Sequence, residues 1–127
     1  MKRIIMLVAI VLSAATMYAQ DTYRIRSVTR GVVNTYDNTI DWGEYKDVDM
    51  TLTSKGNVMF ISDNAKSIYI LKSSFPDKIV KGIKQVAWHA VDESGYGCTF
   101  KICTYPSGTK MVYVFYNDYA FGYTLDQ

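Results

Sequence analysis

One histidine, two cysteines and two prolines are scattered through 127 residues, and no run of Lys or Arg is longer than two. Each scarcity excludes something. A zinc site draws on three or four nitrogen or sulfur ligands at motif spacing, and His89 stands without a second histidine or a nearby cysteine pair. Cys98 and Cys103 are five positions apart in a segment that alternates like a strand. Their α-carbons would then lie ~17 Å apart, well beyond the ~7 Å that a disulfide spans. A Cys98–His89 nucleophile pair is excluded as well, because the strand register developed below sets the two on opposite faces. No glycine-rich phosphate loop and no G-x-S-x-G elbow occurs, and Asp92-Glu93 is better placed as a turn than as an acid and a base. The sequence therefore predicts neither an enzyme nor a cofactor or metal protein.

The acidic residues Asp37, Asp41, Glu44, Asp47 and Asp49 form the one concentration of hard oxygen ligands. They do not follow a calcium-loop pattern, which from Asp37 would need a third-position Asp or Asn and a sixth-position Gly. Thr39 and Trp42 occupy those places.

The longest unbroken apolar run, Ile4 to Leu12, is too short for the ~20 residues that cross a bilayer. It follows Lys2 and Arg3 and leads into Ser13, Ala14 and Ala15, the layout of an export signal cut after Ala19. The expected domains are a signal peptide over 1–19 and a single exported β domain over 20–127, without a membrane anchor after processing, in the periplasm or outside the cell. Loss of Lys2 and Arg3 takes the basic residues from 14 to 12, against 12 acidic residues that all lie beyond residue 20, so the processed chain has no net charge. A nucleic-acid partner would need a basic patch, and none is expected.

What the chain has in quantity is apolar and aromatic alternation: 49% hydrophobic residues, with 11 tyrosines. Asp92 to Gly95 reads as a three-residue hairpin loop, which sets Asp92 opposite Tyr96, Ala90 opposite Cys98, Trp88 opposite Phe100 and Val86 opposite Ile102. Pro106 to Gly108 forms a second such turn, with Tyr105 opposite Thr109, Ile102 opposite Val112 and Phe100 opposite Val114. A tight Asn117-Asp118 turn then pairs Tyr116 with Tyr119, Val114 with Phe121 and Val112 with Tyr123. All three turns leave one face apolar, and a one-residue slip at any of them would break that agreement.

Upstream, Val48, Met50 and Leu52 alternate with polar residues in a half-buried strand. A turn at Lys55-Gly56 sets Leu52 against Met59 and Met50 against Ile61; a loop at Asp63 to Lys66 sets Ile61 against Ile68 and Met59 against Ile70. The opening strand, Thr22 to Val33, changes phase between Ile25 and Val28, which predicts a bulge near Ser27 with Arg24, Arg26 and Arg30 facing solvent. Asn34 to Gly43 is turn-rich and reads as a loop or covering flap. Ile79, Val80 and Ile83, after Pro76 and Asp77, recur at helical spacing and predict one short helix. The expected fold is mainly β: a single-domain antiparallel meander of about eight strands, forming a small up-and-down barrel or two packed sheets, with that helix between the halves.

The second face of the last meander carries His89, Lys101, Cys103, Met111, Tyr113 and Phe115 beside Ala120 and Gly122, and is neither polar nor plainly core. Such a face is covered by the helix or the Trp42 loop, by a second copy of the chain, or by a partner. Trp42, His89, Met111, Tyr113 and Phe115 are the candidate ligand-binding residues. An unknown protein, a glycan or an apolar small molecule are the partner classes that suit an aromatic surface. A self-associating or inhibitor-like envelope protein, using a sheet edge or the Asn34 to Gly43 loop, is the alternative.

Overall fold

Asp92 ends one strand and builds the turn that starts the next. Its backbone N–H donates to the Tyr96 carbonyl at 2.9 Å, while its carboxylate accepts the N–H groups of Ser94 and Tyr96, each at 2.9 Å. In this computed structural model, residues 21–34, 36–37, 39–62 and 66–126 are described. The expected signal peptide lies outside them, as do loop residues 63–65. Among the described residues ten strands form: β1 (Asp21–Asn34), β2 (Thr39–Trp42), β3 (Lys46–Lys55), β4 (Val58–Ser62), β5 (Lys66–Ser74), β6 (Lys78–Val80), β7 (Ile83–Asp92), β8 (Gly97–Thr104), β9 (Lys110–Phe115) and β10 (Tyr119–Asp126).

Eight of them close into an antiparallel barrel in the order β1-β3-β4-β5-β7-β8-β9-β10, with β10 pairing back to β1 from Arg24↔Asp126 to Val32↔Tyr119. Closure removes the free sheet edges that an open meander would leave. The two remaining strands are extensions: β2 pairs with the end of β1, and β6 with the start of β7. The barrel interior is filled. Phe100 is wholly buried at its centre, flanked by Tyr69 and Trp88 with ring centroids 5.6 and 6.5 Å away. Ile25, Leu52, Ile61, Val112, Val114 and Leu125 close around them. Eight strands enclose about the volume that side chains can fill, so this inside is a core.

The C-terminal register is as the turns predict: Ala90↔Cys98, Trp88↔Phe100, Ile102↔Val112, Val114↔Phe121 and Val112↔Tyr123 are all observed pairs. So is the β1 bulge, between Ile25 and Ser27, with Arg24, Arg26 and Arg30 exposed.

Three expectations are corrected. No helix forms over 77–83. Ile79 and Val80 belong to β6, which turns back into β7 through Lys81 and Gly82, both at positive φ (53° and 80°). Two consecutive left-handed residues make a hairpin turn whose twist suits the flanking strands, and the β-branched residues around it favour strand over helix. The apolar triplet that resembled a helical stripe is not buried as one, since Ile79 is 72% exposed.

The β3–β4 turn is Gly56-Asn57 rather than Lys55-Gly56, with Leu52 opposite Ile61. Gly56 has a φ of 60°, and a two-residue turn of this kind takes glycine first. This two-residue shift keeps Met50, Leu52, Met59 and Ile61 in the core. The β4–β5 pairing slips by one, to Met59↔Tyr69, and therefore reverses the faces of β5. Tyr69 (3% exposed) points in and Ile70 (37%) points out, because the space beside Phe100 takes a ring.

Candidate functional site

On the outside of β1, β10 and β9 the residues are small or buried: Thr29, Gly31, Ala120, Gly122, Thr124 and Met111. They make a bed for residues 39–45, which fold back over the barrel wall. The Gly43 N–H donates to the Arg30 carbonyl and the Thr29 hydroxyl donates to the Gly43 carbonyl, both at 2.8 Å. A Cβ on Gly31 would stand 2.5 Å from Cγ2 of Ile40 and 2.8 Å from Cε3 of Trp42, so this close approach depends on glycine. The flap delivers Trp42 onto Tyr113, with ring centroids 5.6 Å apart, and Tyr113 stacks on Phe115 at 5.8 Å. The Tyr113 hydroxyl is 3.2 Å from that of Tyr105, and burial, followed by this hydrogen bond, pushes its pKa well above the ordinary tyrosine range. Met111 is 8% exposed, its sulfur accepting from the Thr124 hydroxyl at 3.4 Å.

The five candidate residues thus divide. Met111 is buried on the barrel wall, Tyr113 is half-buried beside it, and Trp42, still 38% exposed, lies over Tyr113 as part of the flap. Phe115 and His89 stand where that cover ends. Phe115 is one wall of an open groove of about 500 Å³ across the outside of β7, β8 and β9, floored by Ala87 and Thr99. Its other wall is Phe75 and Pro76, where the chain bends between β5 and β6, and Lys78, Gln85 and Lys101 line it further. The bend is pinned by the Phe75 N–H donating to the Ala87 carbonyl at 2.9 Å. Thr99 and Phe115 also border a second hollow of about 580 Å³, which continues past His89 to Asn117. His89 packs against Phe75, ring centroids 4.2 Å apart.

Sequence periodicity alone does not find Phe75, which lies between strands; its only signal is an aromatic residue ahead of Pro76. Lys101 shares the candidate face by alternation, but nothing in its spacing distinguishes it from a solvated lysine.

Elsewhere the polar groups are absorbed by the fold. Cys98 points into the barrel while His89 points out. Burial, followed by the nearby Asp92 carboxylate, pushes the Cys98 thiol up to about 11; burial also raises Cys103. Burial alone would raise the Asp92 carboxyl too. The hydrogen bonds from the Tyr116 hydroxyl (2.7 Å) and from the turn N–H groups outweigh it and hold Asp92 below its ordinary range. The acidic residues of 37–49 are dispersed: Asp37 accepts from the hydroxyl and N–H of Thr39, at 2.6 and 3.1 Å, and Asp49 pairs with Arg24 at 3.5 Å. Among the described residues, no group of three or more His, Cys, Asp or Glu side chains could hold a metal ion.

The fold defines the class, a closed eight-stranded antiparallel β-barrel with two extra strands. Comparison of the chain with protein families, with curated proteins and with solved structures finds no match.

Proposed function

We propose that this chain is an exported, non-catalytic binding domain, acting in the periplasm or outside the cell, that holds an apolar small molecule, a glycan or a protein segment through the aromatic groove on its barrel wall. The observation that carries the reading is the placement of Phe115 opposite Phe75 over a floor of Ala87 and Thr99, leaving about 500 Å³ open to solvent. Grooves of that size with aromatic walls and a few polar groups are typical of ligand sites, whereas the inside of this barrel is occupied by its own side chains. Native mass spectrometry of the processed protein, taken gently from exporting cells, tests it. A retained added mass that disappears in Phe115→Ala supports the reading; a bare wild-type chain, with no partner recovered in stoichiometric amount, counts against it.

A second reading, self-association, rests on a different observation. β6 pairs on one side only, and Ile79 (72% exposed) and Val80 lie open along it. A free edge with apolar residues is a template for another strand. A dimer in solution that Ile79→Lys dissolves would favour this reading.

A further inference from the structure

We infer that the groove selects an anionic amphipathic ligand, a carboxylate carried on an apolar body, with Lys101 as its charge partner; this rests on the groove being the binding site. Lys101 extends from β8 among the groove-lining residues and is half-buried. Its ammonium lies 6.0 Å from the centroid of the Phe115 ring, at the outer reach of a cation–π contact. Among the described residues the ion pair present is Arg24–Asp49, so Lys101 has no carboxylate against it. A ligand carboxylate placed along the Phe115 wall would gain a charge-assisted hydrogen bond from that ammonium, which a neutral head group gains only more weakly.

The remaining charges agree. The lining holds two lysines, Lys78 and Lys101, and one carboxylate, Asp77, a balance of one positive charge in a chain whose processed form is neutral overall. Lys78 and Asp77 are exposed neighbours at the rim and offset each other at long range. Lys101 is then the uncompensated charge, placed against an aromatic wall where the apolar part of a ligand would lie. A neutral ligand would occupy the rings and leave the ammonium unpaired; a dianion would exceed the charge available.

Decanoate and decanol share an apolar body and differ in the charged head, so their dissociation constants, from titration calorimetry with the full processed protein, separate the two ideas. Decanoate is expected to bind at least tenfold more tightly than decanol. Lys101→Met, which keeps much of the length and removes the charge, should erase that difference by weakening decanoate at least tenfold relative to decanol. Phe115→Ala should weaken both. 2-Naphthoate, a flat carboxylate, distinguishes a ring-shaped body from an acyl chain. Equal binding of decanoate and decanol, or decanoate binding indifferent to Lys101→Met, overturns the anion inference and leaves the groove reading standing. Failure of both probes and of 2-naphthoate overturns the inference together with the small-molecule form of that reading. Lys101 is partly exposed, so the variant is expected to fold; backbone amide spectra matching wild type outside the groove verify that.

Discussion

Gly31→Ala is the substitution that tests whether the flap is built into the fold or merely rests on it. The added methyl would sit 2.5 Å from Ile40 Cγ2 and 2.8 Å from Trp42 Cε3, and neither atom is the free end of a long side chain. The space cannot be found by swinging a terminus aside. Either β1 and β2 separate, or Ile40 and Trp42 leave their rotamers, and overpacking of this kind costs roughly 1–3 kcal/mol. Loss of glycine freedom in the unfolded chain returns about 0.4–1 kcal/mol, so the net loss should be about 1–2 kcal/mol. In a domain of this size that lowers Tm by about 4–8 °C per kcal/mol. Gly97→Ala is the internal control: Gly97 lies in β8 without positive φ, and nothing is within 4 Å of the place its Cβ would take. Urea titrations of the three proteins give the stabilities. The indole N–H resonance of Trp42, assigned by difference from a Trp88→Phe variant, reports its packing against Tyr113. Gly31→Ala as stable as Gly97→Ala, with the Trp42 resonance in place, would refute the account of the flap as packed tightly onto β1.

Tyr116→Phe removes the 2.7 Å hydrogen bond to Asp92 and should cost about 1 kcal/mol at neutral pH. Because Asp92 is held below its ordinary value of 3.8 in the fold, its contribution is present above that pH and lost as the pH falls through the folded value. The urea midpoints of wild type and variant should therefore converge below about pH 4, and a gap that persists unchanged in acid would contradict the assignment. Both cysteines are buried and burial makes their thiols weaker acids, so a thiol-exchange reagent at pH 8 should label neither in the native protein and two per chain in urea; rapid native labelling of one would show an open site. Lys81→Asn, at φ 53° before Gly82, should raise stability by about 0.5–1 kcal/mol, since asparagine tolerates the left-handed region that a long side chain does not; a loss in a thermal melt would mean the turn is not as described.

How far the sequence discloses this molecule depends on how tightly each turn is specified. Asp92 to Gly95 and Pro106 to Gly108 fix their registers with residues that admit few alternatives, and every pair counted outward from them is found. Gly56 can stand first or second in a two-residue turn, and only the packed structure decides between them. Ile68 and Ile70 are as apolar as Tyr69 and Leu71, so hydrophobicity cannot choose the inward face of β5; the shape of the space beside Phe100 does. Val80-Lys81-Gly82-Ile83 conceals a hairpin because lysine is an unusual occupant of its left-handed position. Of the candidate residues, simple alternation puts His89, Met111, Tyr113 and Phe115 on one face, and the turn-rich segment around it makes Trp42 part of a covering loop. Which are sealed and which open depends on how far the flap reaches, a property of tertiary packing that no local spacing carries.

The last two strands have a consequence for how the chain avoids misthreading. Met111 to Phe115 has no charged residue, and both faces of β10 are buried or half-buried from Tyr119 to Leu125, so water says little about one alignment against its neighbour. Bulk does. Phe121, Tyr123 and Leu125 alternate with Ala120, Gly122 and Thr124, and a shift of one would drive rings out against the flap while leaving hollows inside, each on the order of 3–5 kcal/mol. Gly122 already stands so close to Thr29 and Tyr113 that a Cβ would meet them at 3.1 and 3.3 Å. Thr29 and Tyr113 thus act as the jaws of a calliper on the final strand: they close only over a thin residue, and a chain threaded out of step is left ajar.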